Sequence, residues 1–379
     1  MRITRVTAYA LEQQLSEKDQ FAFSQFWCRK RTVLICRIDT DEGITGWGEA
    51  FGPGRIHKKI IDDYYAPFLM GKDPFDSQVI WENLYNMLRD NGQKGVTIQA
   101  LSAIDIALWD IKGKAAGRPV YQMMGGAARE RLRPYATGMY RRYTKDEIKE
   151  STAEAVSYVA QGFRAVKLKI GFGIDYDVRL VRSVRKAVGP EIKIMIDANH
   201  AYNAMTAVKI GSMLEELDIF WFEEPVPPED LEGYLEVKSK LRMPIAGGEA
   251  EFTRYGMQHL IGKRCVDIVQ PDCTITGGLS EFLRITTLCA LANVQCYPHV
   301  WGSGIALATG INAAFTLPDF PPSLEPADVY LEYDRTRNVF REDLAEGIPE
   351  MKDGWIYPSK KPGLGIEINE DLLRQYAVS

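Results

Sequence analysis

The sequence predicts an α/β protein: a modified (β/α)8 barrel of the TIM type, preceded by a smaller N-terminal α+β capping domain. Two patterns carry this expectation. Beyond about residue 130, short β-rich runs alternate with helical segments seven or eight times, which favours a closed parallel barrel over an open sheet. Before that point strands come first and helices second, the order of a small α+β unit. A chain of 379 residues has room for both. The expected division is 1–125 for the capping domain, 126–355 for the barrel, and 356–379 for a C-terminal segment packing back on the capping domain.

Residues 1–50 alternate like antiparallel strands at 2–9, 32–38 and 44–49, with Asp41-Glu42-Gly43 as a turn. Between the first two lies a connection, Ser16 to Trp27, that carries Phe21, Phe23, Phe26 and Trp27. Connections this long inside a compact domain are usually functional or disordered, and the aromatics predict a lid. Gly52-Pro53-Gly54-Arg55 is a second candidate loop. From about 56 to 116 the pattern is helical, with Ala100, Ala103, Ile104, Ala107, Leu108 and Ile111 at spacings of three and four. Gly117-Arg118-Pro119 ends that helix. Barrel strands are read at 134–137, 165–169, 192–196, 219–222, 244–247, 266–269 and 294–297. After about residue 340 the alternation stops.

Composition excludes several classes. The net charge is −5, and no basic cluster alternates with aromatics, so nucleic acid is not an expected partner. No apolar run approaches the ~18 residues a membrane span requires. The N-terminus moves directly into strand-like alternation, so it does not read as a signal peptide. Cys28, Cys36, Cys265, Cys273, Cys289 and Cys296 show neither CxxC nor disulfide-framework spacing, as expected of reduced thiols in a cytoplasmic protein.

Chemistry begins at Val166-Lys167-Leu168-Lys169-Ile170. Side chains two apart share one face of a strand, so both lysines point the same way. Neighbouring cations depress each other's pKa, and a lysine pushed toward neutrality is a general base near pH 7. An edge strand with two solvated lysines is the alternative, and the residues downstream count against it. Lys169, Asp197, Glu223, Glu249, Asp272 and His299 all end predicted strands, at intervals of 28, 26, 26, 23 and 27 residues. Those intervals match one β/α unit, and strand ends are where a barrel gathers its active-site groups. Asp197, Glu223 and Glu249 come from adjacent strands and would converge. Three such anions repel strongly without a cation, and all-oxygen ligation selects Mg²⁺, or Mn²⁺, over zinc. Only one of Glu223 and Glu224 can face that point, and of Asp267 and Asp272 only the second is at its strand's C-terminal end. Asp272 beside His299 would fix the imidazole tautomer and raise its basicity. Asn199, His200, Arg55 and Trp301 are candidate substrate contacts.

A lysine base, an opposed histidine and a metal floor suit removal of a proton from the carbon next to a carboxylate, since the metal steadies the developing anion. Enolase-superfamily sites are a standard example of that arrangement. The runs Lys167-Leu168-Lys169, Asp197-Ala198-Asn199, Trp221-Phe222-Glu223-Glu224-Pro225, Gly248-Glu249, Gln270-Pro271-Asp272 and Pro298-His299 resemble the mandelate racemase subgroup of the enolase superfamily. The resemblance implies Lys169 as base with Lys167 as its modulator, Mg²⁺ on Asp197, Glu223 and Glu249, and the Asp272–His299 pair on the substrate's opposite face. It also implies a glutamate at the end of the eighth strand, with Glu332 preferred to Glu325. More narrowly, the runs 84–92, 103–114, 169–173, 195–200 and 363–369 resemble the lactone cycloisomerases and acid-sugar dehydratases within that family.

The resulting expectation is Mg²⁺-dependent α-proton abstraction from an aldarate, an aldonate or a lactone. β-Elimination then gives a 3-deoxy-2-keto acid, in a protein expected to be a homo-oligomer. Racemisation by proton return from the opposite wall is an alternative, and a non-catalytic metal-dependent sugar-acid binder is another.

Overall fold

Three long strands open the chain. In the computed structural model, which describes residues 1–319 and 321–378, β1 (Ile3–Gln14) is followed by a hairpin of two short strands, β2 (Phe21–Ala22) and β3 (Trp27–Cys28). β4 (Lys30–Thr40) and β5 (Thr45–Phe51) complete an antiparallel sheet. β1 outruns its alternating pattern because Ala10 and Leu11 are both buried, which breaks the period, while pairing with β4 continues to Gln14. Helix Val96–Ala115 lies against β5. A Cβ at Gly46 would sit 2.2 Å from the Ala107 carbonyl oxygen, and one at Gly48 would sit 1.9 Å from that of Ala103. Glycine at both positions is what lets the helix backbone approach the strand. The expected loop at 52–55 is shorter than read, because helix Gly54–Ile60 begins inside it and carries Arg55.

The barrel strands are β6 (Arg133–Gly138), β7 (Ala165–Lys169), β8 (Lys193–Asp197), β9 (Ile219–Glu223), β10 (Ile245–Gly247), β11 (Ile268–Val269), β12 (Gln295–Cys296) and β13 (Tyr330–Asp334). They form one parallel sheet in chain order, with β13 returning beside β6, as the curling of a barrel requires. The fold class read from the sequence is therefore the observed one. Helices intervene from Glu147–Ala160, after β6, to Gly304–Phe315, after β12. No described ladder joins β12 to β13; the rings of Tyr297 and Tyr330, 6.0 Å apart, face each other near that seam.

The sheet's register builds the site. Lys167, Met195 and Trp221 are level with one another; one layer higher stand Lys169, Asp197 and Glu223. Trp221 is fully buried, with Tyr135 edge-on at 5.4 Å, and forms the apolar floor under the charged layer. Truncating such a side chain costs about 3–5 kcal/mol.

Beyond the barrel, β14 (Ala345–Glu346) pairs with β15 (Glu367–Ile368), and β16 (Ala377–Val378) adds to the free edge of β1. The Gly363 carbonyl accepts from Val120 N at 2.8 Å, and Leu364 N donates to Asp110 at 2.8 Å, so this segment lies on the N-terminal part. No described helix is long and apolar enough to cross a membrane. All six cysteines are buried and free.

Candidate active site

β7 delivers both lysines into the barrel mouth. Lys167 is completely buried, with its Nζ 2.6 Å from Glu223, 2.8 Å from Glu332 and 3.7 Å from Asp197. Lys169 donates to Asp197 and, at 3.0 Å, to Asn199 Oδ1. Asn199 and His200 both take positive φ (42° and 67°), and Asn199 N donates back to Asp197 at 2.8 Å. The chain thus turns directly after Asp197, carrying Asn199 over Lys169.

Asp197, Glu223 and Glu249 each offer an oxygen within 4.8 Å of the others. Glu223 is oriented by Gln270 Nε2 at 2.8 Å and Trp221 Nε1 at 3.0 Å. Glu249 Oε2 is buried, with His299 Nε2 3.3 Å away and no closer donor among the described residues. Three carboxylates with oxygens this close form a donor set that fits a divalent cation with oxygen ligands. Glu224 turns away, with its Oε2 2.6 Å from His200 Nε2.

On the far wall, His299 Nδ1 lies 2.7 Å from Asp272, while Nε2 is 3.3 Å from Glu249 and 3.7 Å from Glu332. Asp272 also accepts from Thr274 N and Oγ1, both at 2.6 Å, which holds the carboxylate in place. β10, β11 and β12 are only two or three residues long, so Glu249, Asp272 and His299 stand in the loops just beyond them.

The electrostatics differ from the expectation for the lysine pair. Burial and the neighbouring ammonium both push Lys169 down, yet Asp197, Glu249 and Glu223 hold its pKa above the usual lysine value. Lys167 goes further up, because Glu223 and Glu332 outweigh its burial. Mutual repulsion between the cations loses to the carboxylates of four other strands and loops. His299 is likewise raised, to about 10: burial lowers it, but Glu249, Glu332 and Asp272 raise it more. Glu332 falls to about 2, since Lys167 and His299 overcome its burial.

A cavity of ≈ 70 Å³ connects the two walls. Lys169, Asn199, Glu249, His299 and Trp301 line it, along with Phe23, Phe51 and Tyr140. The aromatic segment predicted as a lid covers this mouth. Ala22 exchanges backbone hydrogen bonds with Arg141, and Trp27 stacks on Tyr143 at 3.7 Å. Ser24 Oγ donates to the carbonyls of Ala198 (2.7 Å) and Asn199 (3.0 Å), and Gln25 Nε2 donates to Asn199 O at 2.5 Å. From β5, Glu49 accepts from Ser303 N and Ala306 N, each at 2.9 Å, and from the Ser303 hydroxyl. This ties the loop after His299 to the N-terminal sheet.

Three candidates are not brought into the cluster of charged groups around the cavity. Arg55 pairs with Glu12 at 3.0 Å on a half-exposed helix face. His200 turns its ring to Glu224. Glu325 is exposed, whereas Glu332 is buried in the site. Tyr140, Ser24, Gln25 and Glu49 were not singled out from the sequence. Ser24, Gln25 and Glu49 meet the site from the N-terminal part of the chain, and Tyr140 meets Trp301 from 161 residues away, which leaves no local spacing to read.

The fold and the carboxylate trio define the class: an enzyme on a capped barrel, with a buried acidic site able to hold a divalent metal ion. The chain belongs to the mandelate racemase/muconate lactonizing enzyme family of the enolase superfamily. Residues 6–125 match the family's N-terminal domain (mandelate racemase/muconate lactonizing enzyme, N-terminal domain), and residues 150–372 match the enolase C-terminal domain-like family. The chain is 41% identical over 376 residues to a D-galactarolactone cycloisomerase of Agrobacterium fabrum, covering 99% of each chain. It is 31% identical to an arabinonate dehydratase of Saccharolobus solfataricus, over 95% of this chain and 94% of that one. The crystal structure of the 3,6-anhydro-D-galactonate cycloisomerase from Zobellia galactanivorans superposes with a TM-score of 0.90 at 37% identity, covering 100% of both chains.

Proposed function

We propose that the protein abstracts the proton α to the carboxylate of a sugar acid or its lactone and expels the β-oxygen, giving a 3-deoxy-2-keto acid. The observation that carries this reading is that Lys169 and His299 line one small cavity from opposite walls, with Glu249 of the acidic trio between them. The similarity to cycloisomerases and a dehydratase of sugar acids supports the substrate class.

In this reading Asp197, Glu223 and Glu249 hold Mg²⁺. The ion supplies charge that steadies the anion developing on the substrate carboxylate and relieves the carboxylate field keeping Lys169 protonated. Lys169 or His299 takes the α-proton, according to which face of the substrate carries it. Asn199 and Asp197 fix the Lys169 ammonium in reach of that carbon. Asp272 holds the proton of His299 on Nδ1, leaving Nε2 directed at the cavity. Lys167, wedged between Glu223 and Glu332, neutralises the floor and is not itself in the cavity lining. The lid excludes water from the anion.

The test is a panel of aldonates, aldarates and their lactones, incubated with Mg²⁺ in D₂O and followed by proton NMR. Elimination with α-deuterium uptake is expected for at least one, and EDTA should abolish it. Exchange with epimerisation but no elimination would instead identify a racemase, which the titrating groups on both walls also permit. No exchange with any acid would overturn the reading.

A further inference from the structure

We infer that Tyr140 is a further catalytic residue, whose hydroxyl hydrogen-bonds the oxygen leaving the substrate's β-carbon. This rests on the α-proton abstraction proposed above.

Tyr140 follows β6 through Met139, whose positive φ (50°) swings the next side chain inward. It is 3% exposed, and its ring centroid lies 5.5 Å from Lys169 Nζ. Phe21 of the lid packs edge-on against it at 4.8 Å. Its hydroxyl oxygen accepts the Trp301 indole N–H at 3.1 Å. Among the described residues that hydroxyl has no acceptor for its own hydrogen. A buried O–H with a spent lone pair and an unused proton is a donor waiting for an acceptor.

The rest of the cavity's lid side is carbon. Phe23 and Phe51 offer no donor, and the Trp301 N–H is already used. A substrate with its carboxylate toward the acidic trio and its α-carbon between Lys169 and His299 extends its β-substituent away from the trio, to this side. Tyr140 is the one hydroxyl in the cavity lining; the amide of Asn199 belongs to the Lys169 wall, and Arg31 lies over the Phe21 and Trp301 rings outside the lining.

What this donor can do differs with the leaving group. Burial, with Asp334 and Glu332 nearby, lifts the phenol well above its ordinary pKa. It gives a hydrogen bond and keeps its proton. A leaving hydroxide would take its proton from whichever of Lys169 and His299 is not the base, whereas the ring oxygen of a lactone leaves as a carboxylate and needs only a donor. The step balances without an added acid. The α C–H bond breaks and its proton goes to Lys169 or His299. Its electron pair forms the Cα=Cβ bond, and the Cβ–O bond breaks with its pair passing to the ring oxygen. The enol then ketonises by taking a proton at Cβ.

The experiment compares wild type with Tyr140→Phe and Trp301→Phe on an aldarate lactone and its open-chain acid, with Mg²⁺ in D₂O, by proton NMR. Tyr140→Phe should open the lactone roughly 10²-fold more slowly. It should still exchange the α-proton, so that exchange relative to elimination rises at least about tenfold. Trp301→Phe, which removes the N–H that orients the phenol and keeps an aromatic ring in the cavity wall, should shift that partition in the same direction by a smaller factor. Ring opening within twofold of wild type, or exchange and ring opening falling by one common factor, would overturn the role of Tyr140. Should Tyr140→Phe fail to fold by circular dichroism, an unchanged partition in Trp301→Phe overturns it. If wild type dehydrates the open-chain acid and leaves the lactone intact, the same comparison is read on that acid, and an unchanged ratio of exchange to dehydration in Tyr140→Phe overturns its role. Neither exchange nor elimination in wild type would overturn the parent reading and this inference with it.

Discussion

His299 presents one ring nitrogen to each of two carboxylates: Nδ1 stands 2.7 Å from Asp272 and Nε2 stands 3.3 Å from Glu249. The first contact sets the tautomer and the second faces the substrate cavity. Asp272→Asn preserves the shape and removes the charge that keeps the proton on Nδ1. For a substrate whose α-proton faces His299, turnover should fall by roughly 10²–10⁴, with the binding of Mg²⁺ unchanged. For one whose proton faces Lys169, α-deuterium exchange should persist. Equal loss on both faces would mean that Asp272 supports the fold rather than the histidine.

The two lysines are predicted to fail differently. Lys169→Met removes a group on the cavity wall and should cut α-proton exchange by about 10³-fold or more, while Mg²⁺ titration by calorimetry still gives a binding isotherm. Lys167→Met removes the partner of two buried carboxylates, Glu223 and Glu332. Breaking such a pairing from one side costs about 3–5 kcal/mol, so this variant should lose stability in urea as well as activity. Two variants of equal stability would contradict the division of roles.

How much of this could be read beforehand follows from where each signal lies. Lys167 and Lys169 share a face because a strand has period two, and the six ionisable residues recur because the β/α unit has nearly constant length. Both signals are local, and the structure brings those residues together. Arg55 lies away from the cavity for a local reason too: two glycines and a proline hide the start of helix Gly54–Ile60, which carries it. The direction of the lysine pKa could not be read from the pair, since it is set by carboxylates contributed by β8, β9, β13 and the loop after β10. Tyr140, Ser24, Gln25 and Glu49 owe their positions to packing between distant segments, which no window of sequence contains.

The lid is held shut by side chains on main-chain carbonyls. Ser24 and Gln25 bond Ala198 and Asn199, the same segment that positions Lys169. At about 1 kcal/mol net for each of the two donors, the Ser24→Ala, Gln25→Ala double variant should shift opening by roughly 2 kcal/mol. The expected outcome is KM raised roughly tenfold with a smaller change in kcat, and faster proteolytic cleavage between residues 16 and 27. Unchanged KM and cleavage would show that the aromatic contacts alone hold the lid.

Away from the site, His57 should govern acid stability. It is fully buried, with Nε2 2.9 Å from Gln99 Oε1. Burial holds its pKa down to about 4, although the Gln99 contact raises it somewhat. In the unfolded chain it titrates near 6.5, so above that pH both states carry neutral imidazole and no stability is lost. Below it the unfolded state takes a proton that the folded state refuses until about pH 4, and stability falls through that window. At about 1.4 kcal/mol for each pH unit, the full loss is about 3 kcal/mol, of which about 2 kcal/mol has gone by pH 5. His57→Gln cannot titrate, and every other group in the two proteins is the same. Urea unfolding at pH 7.5 and pH 5 should therefore cost wild type about 2 kcal/mol more than the variant. Parallel losses would show that the folded protein accepts the proton at His57 as readily as the unfolded chain does.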